Sequence, residues 1–435
     1  MKRVEVFGAL RYRDYRLYWS GMVVSVSGLQ MALLTKGWLV WKLTGSEVIL
    51  GSLGLAEAIP AAIFTLFGGA VADKVDLRRL LILLQGVYAL TLLLLAVLTA
   101  MELVQVWHVF VAAAVMGMTE AFDNPGRQAL FPHLVERRDL MKAVSLNSTV
   151  WPGTRIFGPA VAGVLIDQIA SRTGAPFMGA ATAFFLAALS FALFGIFLSI
   201  IRVPYIERAG GINVVKDIGE GLKFVWGQRI FAFLIAMTFM SSFFVGSHVA
   251  LLPVFATDVF SGDGTTLGAL YAFGGFGSLG GALVAASLTS VRRRGWLIFG
   301  GALMQTTCLM VFASSTSYPF ALLMLPLAGI GFSLFTVSSQ STIQFLVPDE
   351  FRGRVMAVWG MTYSTVMPLG RVQMGAVAGL SRLHLPGVLG RFAGAPTAVI
   401  ANGAVMPAFV FLGAASNPRV RNLRPEGSDS LGTTS

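Results

Sequence analysis

Apolar residues along this 435-residue chain come in long runs, separated by short stretches rich in charge, glycine or proline. Twelve runs stand out, at about 17–42, 47–72, 79–100, 105–125, 142–167, 176–199, 230–255, 267–289, 296–315, 318–346, 355–380 and 395–415. A helix crosses a hydrocarbon core with about 20 mostly apolar residues, so each run is of spanning length. The runs are too long for barrel strands, and a chain in lipid must satisfy its own amides and carbonyls. Every run is therefore predicted helical. The longest break, 200–229, divides six spans from six. Within it Val214, Val215, Ile218, Leu222, Val225 and Trp226 recur at helical spacing, with Lys216, Asp217, Glu220 and Lys223 between them. That pattern predicts an amphipathic helix on the membrane surface. The expected organisation is a six-helix bundle over 1–199, a cytoplasmic amphipathic linker over 200–229, a second bundle over 230–415 and a disordered cytoplasmic tail over 416–435. Two such halves are the architecture of a secondary transporter built from repeats.

Charge assigns the sides. With the N-terminus in the cytoplasm, 25 of the 32 Lys and Arg fall in inner segments. Four (Lys42, Arg172, Arg382, Arg391) fall in outer loops, and three (Lys36, Arg155, Arg371) inside spans. Basic residues mark the cytoplasmic side, so both termini are expected there. Met1–Gly8 is not expected to be a cleavable signal, because the first apolar run begins late.

Composition narrows the class. Charged residues are 12% of the chain, against about 25% in soluble domains. That excludes an ordinary cytoplasmic enzyme and a disordered protein. The net charge of +11 suits loops touching anionic lipid better than nucleic acid, since no polar domain exists to present a basic face. One cysteine, Cys308, excludes a disulfide framework, and the four histidines lie far apart, so no metal or cofactor is expected. Five glycines over 274–281 have no Gly-Lys-Ser/Thr ending and fit close helix packing, not a nucleotide loop.

Four stretches carry a family resemblance. Gly68-Gly69-Ala70-Val71-Ala72-Asp73-Lys74-Val75-Asp76-Leu77-Arg78-Arg79, after span 2, resembles the signature loop of the major facilitator superfamily. It departs from that loop at Asp76, where the motif usually has Gly. Gly69 would let two helices approach closely, and Asp73 would accept from the amino end of a neighbouring helix. Arg78 or Arg79 would reach an acid at the inner end of span 4, for which Asp123 is placed. Gly158-Pro159-Ala160-Val161-Ala162-Gly163 is similar to the span-5 motif of the family's antiporters. There Pro159 bends the helix while Gly158 and Gly163 pack it closely, as a hinge, a seal or a plain structural kink. Phe122–Pro132, Arg155 before Gly-Pro, and Val347–Met356 resemble the enterobactin-exporter-like branch, which also holds macrolide efflux pumps. The resemblance covers the whole chain. It implies an all-α integral membrane protein of twelve transmembrane helices in two pseudo-symmetric six-helix bundles. It also implies proton-driven export of a small hydrophobic or aromatic compound.

Ionisable groups within a span are costly, about 2.5–3.5 kcal/mol on insertion scales, and are functional candidates by default. Lys36 and Glu57 differ in depth by about 6 Å, within reach of a lysine stem. They are expected to pair, as a proton site or as a static ion pair, unless Lys36 snorkels outward. Arg155 is expected to be neutralised by Glu120 or Asp123, with Glu120 favoured because Asp123 is claimed by Arg78 or Arg79. Arg371 has no evident acidic partner, so it faces a wet cavity and an anionic substrate, or snorkels. His248 titrates near neutrality and is either a proton-coupling group or a cap on a backbone group. In this superfamily spans 1, 4, 7 and 10 line the path. The resemblance therefore places Gln30, Phe243, Phe244, Gln340 and Gln344 near the substrate, as hydrogen-bonding and stacking groups. Interhelical hydrogen bonding is the plainer role for such residues.

The expected protein is a proton-coupled exporter, monomeric, in a bacterial inner membrane, with protons, lipid and a small molecule as its partners. Glu57, Glu120 or both would carry the proton, with Arg155 modulating. A proton-independent facilitator and a lipid scramblase are the alternatives. A membrane-embedded lipid enzyme would need a nucleophile or metal cluster at the interface, and none is visible.

Overall fold

The computed structural model describes residues 6–72, 75–202, 214–288, 294–384 and 393–416. All twelve runs are helical. The first half holds α1 (Arg13–Thr44), α2 (Glu47–Ala72), α3 (Leu77–Ala100), α4 (Val106–Leu130), α5 (Val150–Thr173) and α6 (Met178–Ile200). The second holds α7 (Arg229–Val259), α8 (Gly264–Ser287), α9 (Arg294–Ala313) and α10 (Tyr318–Leu346). It ends with α11, which runs through Asp349–Met361, Thr362–Val366 and Met367–His384, and α12 (Ala395–Ser416). Eight described helices are long and apolar enough to cross a membrane. The other four are α4, α5 and α11, which carry several charged residues each, and α12, whose described apolar part is short.

Three local departures from regular helix matter. The fifth run breaks at Thr149, into a short helix Leu140–Ser148 followed by α5. Span α7 is wider than an α-helix at Ser241–Val245, tightens to 3-10 geometry at Gly246–Leu251, and widens again at Phe255–Val259. Span α11 widens at Thr362–Val366. Such bulges leave carbonyls without their usual partners. The Ser247 hydroxyl can donate to one of two carbonyls, lying 3.0 Å from that of Ser242 and 3.1 Å from that of Met367.

Within the halves α1 packs on α5 and α6, α3 on α6, α2 on α4, and α10 on α8 and α9. Between halves α5 lies on α8, and α2 on α11. Small residues set both crossings. A Cβ on Gly268 would sit 2.7 Å from the Pro159 carbonyl oxygen, and one on Gly51 would sit 2.5 Å from that of Arg371. Backbones this close allow tight van der Waals contact where no hydrophobic force drives helices together.

The end carrying Arg11, Arg78 and Arg127 is called the basic end here, and its opposite the far end. The linker holds a helix over Val214–Gly227. It docks against the start of α11: Phe224 stacks on Phe351 at 4.5 Å, and Glu220 pairs with Arg354 at 3.0 Å. Asp76, the departure from the loop motif, serves as N-cap of α3 by accepting from the amides of Arg78 and Arg79 at 3.0 and 3.2 Å. A carboxylate there satisfies two orphan donors that a glycine would leave to water.

Candidate functional site

A cavity of about 230 Å³ lies between the halves at mid-depth. Gln30, Lys36, Glu57 and Arg155 of the first half line it with Ser242, His248, Tyr271, Gln305, Tyr363 and Arg371 of the second. The Lys36 ammonium is 3.3 Å from Glu57 and 3.7 Å from the Met116 sulfur, so the lysine turns inward instead of snorkelling. Its side chain is 1% exposed, whereas that of Glu57 is 28% exposed and wet. Gly117 makes the approach possible, because a Cβ there would collide with the Glu57 carbonyl. His248 Nδ1 lies 2.8 Å from the Val245 carbonyl, inside the tightened part of α7.

A second cavity, of about 360 Å³, lies inside the first half towards the basic end. Glu120, Asp123 and Arg127 line it, with Tyr18, Tyr88, Phe191 and Trp151 as aromatic walls. Asp123 is fully answered: Arg127 Nε donates to one oxygen at 2.6 Å and Gln85 Nε2 to the other at 2.7 Å. Arg127 also reaches Ser25 and lies over the Phe194 ring. Glu120 accepts only from the Tyr88 hydroxyl, at 2.9 Å, and has no ion-pair partner among the described residues.

The far end is tied across the halves. Asp263 stands at the N-cap of α8 but makes no capping bond there. Its carboxylate instead accepts from Trp38 at 2.5 Å and Lys42 at 3.1 Å, both on α1. The vacant cap is filled from the other half: Asp167 of α5 accepts from the amides of Gly264 and Thr265 at 2.8 and 2.6 Å. Glu47 pairs with Arg382, which also holds Asp258 at 2.7 Å, and Trp41 donates to Thr257 at 2.8 Å. These bonds join the two halves at the far end.

Several expectations need correction. Arg155 and Glu120 do not meet, because they line different cavities. Asp123 is not held by Arg78 or Arg79. Arg78 donates to the carbonyls of Leu198 and Ser199 at the end of α6, and Arg79 lies 3.6 Å from Asp76. Phe243 and Phe244 pack on each other and on Phe239, and neither they nor Gln340 and Gln344 line the central cavity. The α10 residues that do, among them Gly329 and Phe332, lie about 12–16 Å nearer the far end than Gln340. Gly158 packs on α1, where a Cβ would sit 2.7 Å from the Ser27 carbonyl, while Pro159 and Gly163 face α8. Gly69 lies in α2, but its surroundings, like Asp73 and residues 417–435, are outside the described residues. Sequence reasoning missed Gln305 and Tyr271, which sit in spans with no charge to mark the cavity face, and Tyr363, which lies eight residues before Arg371 on α11.

Twelve helices in two halves, with an ionisable cavity at mid-depth between them, define a membrane transporter of the major facilitator type, not an enzyme. The chain belongs to the Transmembrane secretion effector family, whose pattern matches residues 5–416. It is similar to macrolide efflux protein A of Streptococcus pyogenes, 23% identical over 377 residues, 83% of this chain and 89% of that protein. It is also similar to the staphyloferrin A transporter of Staphylococcus aureus, 28% identical over 233 residues, 53% of this chain and 56% of that one. Among solved structures, a bacterial homologue of the human lysosomal transporter Spinster, in an inward-facing and unoccupied conformation, matches with a TM-score of 0.70. That match has 16% identity and covers 95% of this chain and 99% of that one.

Proposed function

We propose that this chain exports a small organic compound from a bacterial cytoplasm by alternating access, driven by protons entering down their gradient. The observation that carries the reading is the far-end seal over a central cavity built by both halves. A seal made of inter-half bonds at one end is what one state of alternating access requires. The basic end is cytoplasmic in this reading, with both termini there, and the far end faces outward. The efflux functions named for the relatives support the outward direction. The protein works as a monomer, since one chain supplies the whole path.

Glu120 is the proton carrier, because it is the cavity carboxylate without an ion-pair partner among the described residues, whereas Lys36 engages Glu57. Gly69, Asp73, Arg78 and Arg79 belong to the inner gate, with Arg78 holding the end of α6. Gly158, Pro159 and Gly163 let α5 move against α1 and α8. The test is substrate movement into inverted membrane vesicles, with and without a proton gradient, over catecholates, macrolides and cationic dyes. Gradient-dependent accumulation is expected. Transport that ignores the gradient would instead make the protein a facilitator or a lipid scramblase.

A further inference from the structure

Arg155 and Arg371 stand in matching places in the two halves. Arg155 is on α5, which lies on α8; Arg371 is on α11, which lies on α2. Each is accommodated by a glycine of the opposite half. A Cβ on Gly275 of α8 would sit 3.1 Å from the Arg155 backbone, and one on Gly54 of α2 would sit 3.1 Å from the Arg371 Cδ. Both side chains line the central cavity and are close enough to sense each other's charge. Neither has an acidic partner within ion-pair distance among the described residues, and the Arg371 Nε is buried without a hydrogen-bond acceptor. The cavity's lone carboxylate, Glu57, is engaged by Lys36. Two guanidinium charges are therefore left uncompensated at mid-depth.

We infer that the transported compound is an oxyanion, carrying one or more carboxylate-like groups, gripped by Arg155 from one half and Arg371 from the other. The inference rests on the transporter reading above and names its substrate class. Guanidinium forks match carboxylates in shape as well as charge, and each has donors to spare here. While the cavity is wet, water solvates both arginines. When the basic end closes, that water must be replaced, and an anion spanning the two arginines replaces it while tying the halves together. Gln30, Gln305 and Tyr271 supply neutral polar contacts around the grip. A cation in the same place would meet two like charges.

The test is thermal unfolding of the purified full-length protein with citrate, 2,3-dihydroxybenzoate and trimesate. Each acid is compared with its methyl ester at equal ionic strength. The acids are expected to raise the midpoint and the esters to leave it unchanged. Arg155→Gln and Arg371→Gln should each raise the acid concentration needed by about tenfold, the equivalent of about 1.4 kcal/mol. Arg371→Lys should retain part of the response. Stabilisation by esters or cationic dyes equal to that by acids would overturn the inference. So would the absence of any acid response up to the solubility limit, or parent-like behaviour in folded Gln variants. Where a Gln variant does not fold, the acid–ester comparison on the parent protein decides. The measurement needs no gradient, so it separates from the vesicle experiment: acid binding without gradient-driven transport would retain the anion grip and remove proton coupling.

Discussion

The two cavities differ in ownership and in charge. The central one is shared by both halves and holds two uncompensated arginines beside the Lys36–Glu57 pair. The other belongs to the first half alone and holds one uncompensated carboxylate, Glu120, beside the Asp123–Arg127 pair. A shared cavity changes shape when the halves rock, whereas a cavity within one half keeps its walls. The first suits a cargo that must be gripped and released, the second a proton. The contrast also bears on coupling. In an oxyanion site, a proton on Glu57 frees the Lys36 charge and strengthens the hold on the anion. Exclusion of proton by substrate, which antiport needs, cannot arise there directly. It has to run from Glu120 through α4, whose Gly117 abuts Glu57 on α2.

The largest expected effect concerns the compensated pair in the first-half cavity. Asp123 and Arg127 side chains are 4% and 11% exposed. Removing one partner of a buried pair typically costs about 3–5 kcal/mol, because the other charge is stranded. Arg127→Ala should therefore destabilise the first half far more than Arg127→Ala combined with Asp123→Ala, measured by thermal unfolding of the purified chain. Equal destabilisation in the single and double variants would mean that the pair is not coupled.

The next effect separates the cavities by function. Glu120→Gln should abolish gradient-driven accumulation in vesicles and leave the acid response of the central cavity intact. Glu57→Gln should do the reverse to binding, tightening the hold on acids several-fold by releasing Lys36. If the two variants behave alike, the division of labour between the cavities fails.

A smaller effect is expected at the far-end seal. Asp167 supplies the α8 cap that Asp263 leaves vacant by turning to α1. Loss of a helix cap costs about 1 kcal/mol, which is about fivefold in a two-state equilibrium. Asp167→Ala should shift the population towards the far-end-open state by that factor. Labelling of a cysteine placed at Gly37, in the central cavity, by a reagent added from outside should rise in proportion. Unchanged labelling would mean that Asp167 caps α8 in both states.

Most of the fold was legible because apolar run length is set by membrane thickness. The Lys36–Glu57 pair was legible too, since depth along a helix follows from counting residues. Rotation about the helix axis was harder. Span α7 is widened at Ser241–Val245, and there Ser242 lines the central cavity while Phe243 and Phe244 do not. The partner of Asp123 sat in plain view at i+4, but Pro125 ended the predicted span two residues too early for Arg127 to count as part of α4. Proline at that position bends a membrane helix without stopping it when neighbouring groups cover the freed carbonyls. Uncharged spans such as α9 gave no sign that Gln305 faces the cavity, because the other half that selects its face is hundreds of residues away.

The smallest effect tests whether the wall of the first-half cavity is held from outside the membrane. Val144, Asn147 and Ser148 of the short helix form that wall. The helix begins just after Asp139, whose carboxylate accepts from Lys142 at 2.9 Å, from the Tyr12 hydroxyl at 2.9 Å and from Arg11. The Lys142 hydrogen bond, then that of Tyr12, with the Arg11 charge assisting, hold the Asp139 carboxyl below its usual range. A depressed carboxyl stabilises the fold fully above the ordinary carboxylate range and loses that contribution as pH falls through its folded value. The tether between the start of α1 and the short helix should therefore hold at neutral pH and slacken only in strong acid. Amide protection in Leu140–Ser148, corrected for intrinsic exchange at each pH, should hold through mildly acidic pH and fall in strong acid. Asp139→Asn should show the lowered protection at neutral pH, with the oxyanion response of the central cavity unchanged. A loss of that response in Asp139→Asn would mean that the two cavities share a wall after all, and the distinction between them would have to be redrawn.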